Sequence, residues 1–121
     1  SLWHFSREHQ NDLTSAYEAR RIEDTRSIEG LPPTERLEYE RTTLHYQRRL
    51  VSQFYALLGG LYEQGIIPKK ILFTYWSEGD LRIIPQVLIP IEASLAKALG
   101  TSAASPGLPR LQKLYGDCPR D

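Results

Sequence analysis

The chain contains no methionine and one cysteine, Cys118, among its 121 residues. A single thiol excludes an intrachain disulfide and a multi-cysteine metal site, and nothing argues for an oxidising compartment. An excess of either charge is also missing, because 15 Lys and Arg balance 15 Asp and Glu. Bulk electrostatics therefore give no reason to expect nucleic acid or an anionic lipid surface as a partner; only a local patch would do so. No apolar run approaches the roughly 20 residues that a membrane span needs. The opening "SLWHFSREH" is charged by Arg7, which does not fit a secretory signal.

Catalytic signatures are lacking too. The sequence shows no nucleophile elbow, no glycine-rich phosphate loop, no zincin helix and no paired cysteines. We therefore expect neither an enzyme nor a cofactor. Without an initiator methionine, the chain reads as a portion of a longer protein. Trp3 and Phe5 next to Arg7 match the aromatic and basic residues of a membrane–water interface. The expectation is a single apolar span upstream of Leu2, with this domain cytoplasmic and touching a membrane only through that missing segment.

What is present is the composition of a globular domain, 40% apolar and 25% charged. The length suits one domain covering 1–121. Residues 2–28 lack Gly and Pro and place Leu13, Ala16 and Tyr17 on one narrow face. Arg20 with Asp24, and Glu18 with Arg21, stand at helical contact spacing. Gly30 and the Pro32–Pro33 pair then end this helix.

Thr34 is a good cap for a second helix, with Glu35 and Glu38 in its first turn. Leu37, Leu44, Val51 and Leu58 recur every seventh residue, and Phe54 and Leu61 join them in the second half. Leu50 and Leu57 widen that stripe. The pattern predicts one long central helix over about 35–64, closed by Gly65 in a left-handed cap. Gly59 and Gly60 inside it predict close approach by another helix, with the proline-bent one as the candidate.

A third helix is predicted from Pro68 to Trp76, and Asp80 is a candidate cap for the next. Pro85 and Pro90 lie five residues apart in "LRIIPQVLIPIEASLAKALG", too far apart to share one first turn. The expectation is a broken helix: a short turn over 81–84, a restart at Pro85 and a bend at Pro90. Val87, Leu88, Ile91 and Leu95 would then wrap around the long helix. After the loop "GTSAASPGLP", a short terminal helix over 109–115 is anchored by Leu111, Leu114 and Tyr115. No strand-like alternation persists, so the fold class is all-α: a small bundle of four to five helices with its core over 34–99.

Candidate sites are few. Arg41, His45, Arg48 and Arg49 cluster on the second helix and suit an anion, a phosphate or an acidic partner helix. His4, Glu8 and Asp12 share a face at four-residue spacing beside His9, but one helix alone gives poor metal geometry, and no metal is expected. Tyr75 and Trp76 with Tyr62 suit a pocket lining or a core. Cys118 falls in a polar tail without an evident cationic neighbour. Gly59, Gly60, Gly65, Trp76, Pro85 and Pro90 are read as structural.

The stretch "FYALLGGLYEQGIIPKKILFTYWSEGDLRIIPQVLIPIEASL" resembles an uncharacterised bacterial all-helical family, a domain of unknown function. Gly59, Gly65, Ile66, Ile67, Trp76 and Ile84 stand at the positions that carry the likeness, and the two prolines depart from it. The resemblance implies helical packing, frequent attachment behind an N-terminal membrane anchor, and no catalytic residue. The functional expectation is a non-catalytic interaction or scaffold module that meets a protein partner or a second copy through residues around 2–20 and 37–51. The alternative is a small-ligand or anion sensor built on the Arg41–Arg49 strip.

Overall fold

The computed structural model describes residues 1–98 and 107–120, and every regular element among them is helical. The chain divides into two compact units, Ser1–Val51 and Ser52–Asp121.

In the first unit, the helix expected over 2–28 is two helices, α1 (Leu2–Glu8) and α2 (Leu13–Glu29). Ser1 caps α1 by accepting from the His4 amide at 3.2 Å. His9 leaves the helical region at φ −122°, ψ 41°, and Asp12 N–H turns back to the His9 carbonyl at 3.2 Å. Asn and Asp side chains compete for backbone groups, so "HQND" favours a turn that the apolar spacing does not reveal.

The long central helix is also two, α3 (Pro33–Glu40) and α4 (Leu44–Glu63). The cause is the Thr42–Thr43 pair. Thr42 Oγ1 donates to the Tyr39 carbonyl at 2.6 Å, and Thr43 Oγ1 to the Glu40 carbonyl at 2.7 Å. Thr43 Oγ1 then accepts from the Tyr46 amide at 3.2 Å and so caps α4. Pro32, not Thr34, holds the capping position of α3. Within this unit α3 packs on α2, and Leu2, Tyr17 and Leu44 are buried.

The second unit takes the C-terminal half of α4. That helix closes at Gly65 as expected, with φ +76°. The Ile66 amide donates to the Leu61 carbonyl at 2.9 Å and the Gly65 amide to the Tyr62 carbonyl at 3.0 Å. These two bonds make the Schellman arrangement that satisfies the last carbonyls of a helix. Next come α5 (Lys69–Tyr75), α6 (Glu78–Leu81), a π turn (Ile84–Leu88), α7 (Ile89–Ala98) and α8 (Gly107–Asp117). Ser77 caps α6, and Asp80 completes a capping box from its third position, so Asp80 is the partner of the cap and not the cap.

The interruption expected before Pro85 is present, with α6 ending at Leu81 and a new segment opening at Ile84, but that segment is a π turn and not a restarted α-helix. Pro85 lies in the opening positions of the π turn, where its missing N–H removes no bond. In a regular α-helix the Pro90 ring would meet the Gln86 carbonyl. A π turn adds one residue to the loop just ahead of it, closed by Ile89 N–H to the Ile84 carbonyl, and removes that alignment. The π turn and α7 pack on each other and on α8. The terminal helix is thus longer than the expected 109–115 and is a principal packing partner. Leu72, Leu81, Ile84, Val87, Leu88 and Leu114 are fully buried, with Ile91 and Leu111 at 1%. Each such side chain contributes about 1.5–3 kcal/mol on leaving water. Leu95 is half-buried. The loop expected over 100–109 lies outside the described residues as far as Pro106, and Gly107–Pro109 already belong to α8.

Candidate functional sites

In the first unit, the basic cluster is rearranged around a residue from another helix. Tyr17 on α2 is buried, and its hydroxyl lies 2.9 Å from His45 Nδ1. Arg48, also buried, donates from Nε to the Tyr17 oxygen at 3.1 Å and stands 3.4 Å from His45 Nδ1. A guanidinium only donates, so Nδ1 serves as an acceptor and Tyr17 passes its own proton towards it. Burial, and then the positive charges of Arg48, Arg21 and Arg49, push the His45 pKa down; Glu40 opposes them. The neutral imidazole is the form that fits this network.

Of the four expected strip residues, His45 and Arg48 come together, Arg49 is exposed on α4, and exposed Arg41 caps the C-terminal end of α3. Arg21 Nε donates to Glu18 at 3.1 Å, and Arg20 meets Asp24 at 3.6 Å, as the spacing predicts. The turn after Glu8 separates the candidate metal face into two pairs, His4–Glu8 at 2.9 Å and His9–Asp12 at 3.3 Å. Among the described residues, no group of three His, Cys, Asp or Glu stands close enough to hold a metal ion. No helix of the described residues is long and apolar enough to cross a membrane.

In the second unit, the aromatic residues divide differently from expectation. Tyr62 turns away to α8, donating to Asp117 Oδ2 at 2.7 Å, with its ring edge-on to Phe73 at 5.6 Å. Tyr75 and Trp76 instead join Tyr55 and Asp80 around an open surface cavity of about 610 Å³, with Tyr75 and Asp80 exposed at its rim. Trp76 ends α5 in an extended conformation, which carries the chain from the Tyr75 position into the Ser77 cap. Asp80 Oδ2 accepts from the Ser77 amide and hydroxyl, both at 3.0 Å. Those bonds hold the Asp80 carboxyl below its ordinary pKa, so it is ionised at neutral pH. Burial, then the Asp80 charge, pushes the Tyr55 phenol up. Tyr55 and Asp80 also belong to this site; Tyr55 carried no signal at the sequence level, and Asp80 only that of a helix cap.

Two further features of this unit matter. Ser52 Oγ donates to the buried Glu92 at 2.7 Å, a carboxylate on α7 that apolar patterning does not reveal. Glu78 accepts from Arg82 at 2.7 Å and from the Tyr115 hydroxyl at 2.6 Å, tying α6 to α8. Cys118, expected in a polar tail, is buried directly after the last residue of α8.

Several apolar side chains of the stripe predicted along 35–64 stand in solvent. Leu37 and Leu50 in the first unit are 59% and 50% exposed, and Phe54 and Leu57 in the second 50% and 62%. Compared with known proteins, the chain matches no family model, no curated protein and no solved structure.

Proposed function

We propose that this chain is a non-catalytic helical interaction module that associates with a second copy of itself. The observation that carries the reading is the exposure of Phe54 and Leu57, one helical turn apart on α4. Single apolar side chains in solvent are ordinary, but large neighbours on one helix face are typical of a surface that is covered in use. Covering each would gain about 1 kcal/mol, since roughly half of a full side-chain burial remains to be made. Leu37 and Leu50 extend the same expectation to the first unit, within the 37–51 region. A cytoplasmic location, in keeping with the single cysteine, is part of the proposal.

Light scattering across a concentration series tests it. The wild-type chain is expected to show a mass rising towards that of a dimer. The Phe54→Ser, Leu57→Ser double variant should remain a monomer with an unchanged helical circular dichroism spectrum. A wild-type monomer at every concentration overturns self-association.

A further inference from the structure

The Tyr55–Tyr75–Trp76–Asp80 cavity has a composition that self-association does not use. Three rings come from two elements: Tyr55 from α4, Tyr75 from the last turn of α5, and Trp76 from its C-terminal cap. Tyr75 is 73% exposed, so core packing does not account for its place. Asp80 adds one carboxylate, fixed by the capping box and ionised. Both bonds from Ser77 go to Oδ2. Among the described residues, no Lys or Arg lines the cavity.

Aromatic faces carry negative quadrupole potential, and a neighbouring carboxylate reinforces it. Such a wall repels anions and gives little to neutral polar molecules. An unmethylated ammonium is strongly hydrated and needs several acceptors, whereas a methylated ammonium presents apolar methyl groups carrying a diffuse positive charge. We propose that this cavity binds a small quaternary ammonium compound, its methylated nitrogen resting against the three rings and its charge facing Asp80. The apolar methyl surface contacts the rings, and the single carboxylate supplies the one counter-charge the ligand needs. The site is open to solvent on one side, so a substituent on the nitrogen points outwards without needing an enclosed space.

The test is a titration of the intact chain with tetramethylammonium and with choline, followed through the Trp76 indole N–H in nitrogen-edited NMR. The control is 3,3-dimethylbutanol, which keeps the shape of choline and lacks its charge, and sodium chloride matches the ionic strength. Saturable shifts of the Trp76 signal are expected for both cations. The neutral alcohol should bind at least about fivefold more weakly, the ratio a cation–π contact of about 1 kcal/mol gives. Tyr75→Ala, at an exposed position, should weaken cation binding at least about threefold while leaving the helical spectrum unchanged. Asp80→Asn keeps an oxygen for the Ser77 amide and removes the charge, and should narrow the gap between choline and its neutral analogue. Equal binding of cation and alcohol, shifts reproduced by sodium chloride, or an unaltered Tyr75→Ala titration would each overturn the proposal.

Discussion

Gly59 and Gly60 are adjacent in α4, yet replacing each with alanine should change stability in opposite directions. A Cβ built on Gly59 would lie 3.0 Å from the backbone carbonyl oxygen of Arg110 and 3.4 Å from its Cβ. On Gly60 the first atom met would be Arg110 Nη1 at 3.4 Å, the far end of a flexible side chain. The close approach expected from the double glycine is therefore real, but its partner is α8 and not the proline-containing helix, and only Gly59 requires it. Alanine gains about 1 kcal/mol over glycine inside a helix. At Gly60 the guanidinium swings aside and most of that gain survives, so Gly60→Ala should stabilise by about 0.5–1 kcal/mol. At Gly59 the obstacle is backbone, and α8 has to shift, at an overpacking cost of about 1–3 kcal/mol. The net for Gly59→Ala is a loss of up to about 2 kcal/mol, and the two variants should differ by about 0.5–3 kcal/mol. Urea unfolding followed by Trp76 fluorescence, in a Trp3→Phe background so that only the second unit reports, measures both. Unchanged urea slopes license the comparison. If Gly59→Ala proves as stable as Gly60→Ala, the tight α4–α8 contact is not present in solution.

Three further outcomes follow from the same geometry. His45 has a folded pKa below its unfolded one, so the unfolded chain binds more protons; stability of the first unit is complete above about pH 6.5 and falls as the pH drops below it. Amide exchange of α2 read between pH 7.5 and 5.5 should show this loss, and His45→Gln should flatten it. Glu78 is held at about 2 by its Arg82 hydrogen bond first and by Tyr115 next. Its contribution is therefore present above about pH 4.5 and fades towards pH 2, and Tyr115→Phe should raise the Glu78 carboxyl titration seen by carbon NMR. Gly65→Ala places a Cβ at φ +76° with open space around it, so the cost is backbone strain alone, about 1–2 kcal/mol by urea unfolding.

How much of this was legible in the sequence depends on which force decided each feature. Gly65 was legible because a left-handed cap is a local requirement that glycine alone meets cheaply. The helical class and the Arg20–Asp24 and Glu18–Arg21 pairs were legible for the same reason, since spacing along one helix settles them. The two breaks were not. Periodicity registers where apolar residues fall, and Leu37 to Leu44 keeps its step of seven across Thr42 and Thr43. Whether those threonines hydrogen-bond back to Tyr39 and Glu40 is a competition between side chain and helix that both outcomes leave in register. The same ambiguity hid the exposure of Phe54: a heptad position states that a face is apolar, and says nothing of whether a neighbour within the chain covers it.

The sites were harder still, because their chemistry arises from distance in the sequence. Arg41, His45, Arg48 and Arg49 read as one basic strip only while α3 and α4 are taken as a single helix. Once Thr42 and Thr43 interrupt it, Arg41 becomes a C-terminal residue of α3, and Arg48 is buried beside a tyrosine 31 positions earlier. That pairing changes what the cluster is. An exposed cation strip attracts anions through its field, whereas a buried guanidinium bonded to Tyr17 holds two helices together and depresses the neighbouring imidazole. The aromatic cavity shows the converse. Trp76 and Tyr75 were visible as residues, but the ring and the carboxylate that give them electrostatic character, Tyr55 and Asp80, come from α4 and α6. Asp80 reaches its place only because Ser77 captures one of its oxygens in the capping box. A local helix-start motif thereby positions the charge that sets the ligand class, which makes Ser77→Ala informative. It should free the Asp80 carboxylate, raise its pKa towards the ordinary value and weaken choline binding, with Tyr75 and Trp76 untouched. Full choline affinity in Ser77→Ala would show that Asp80 acts without that positioning.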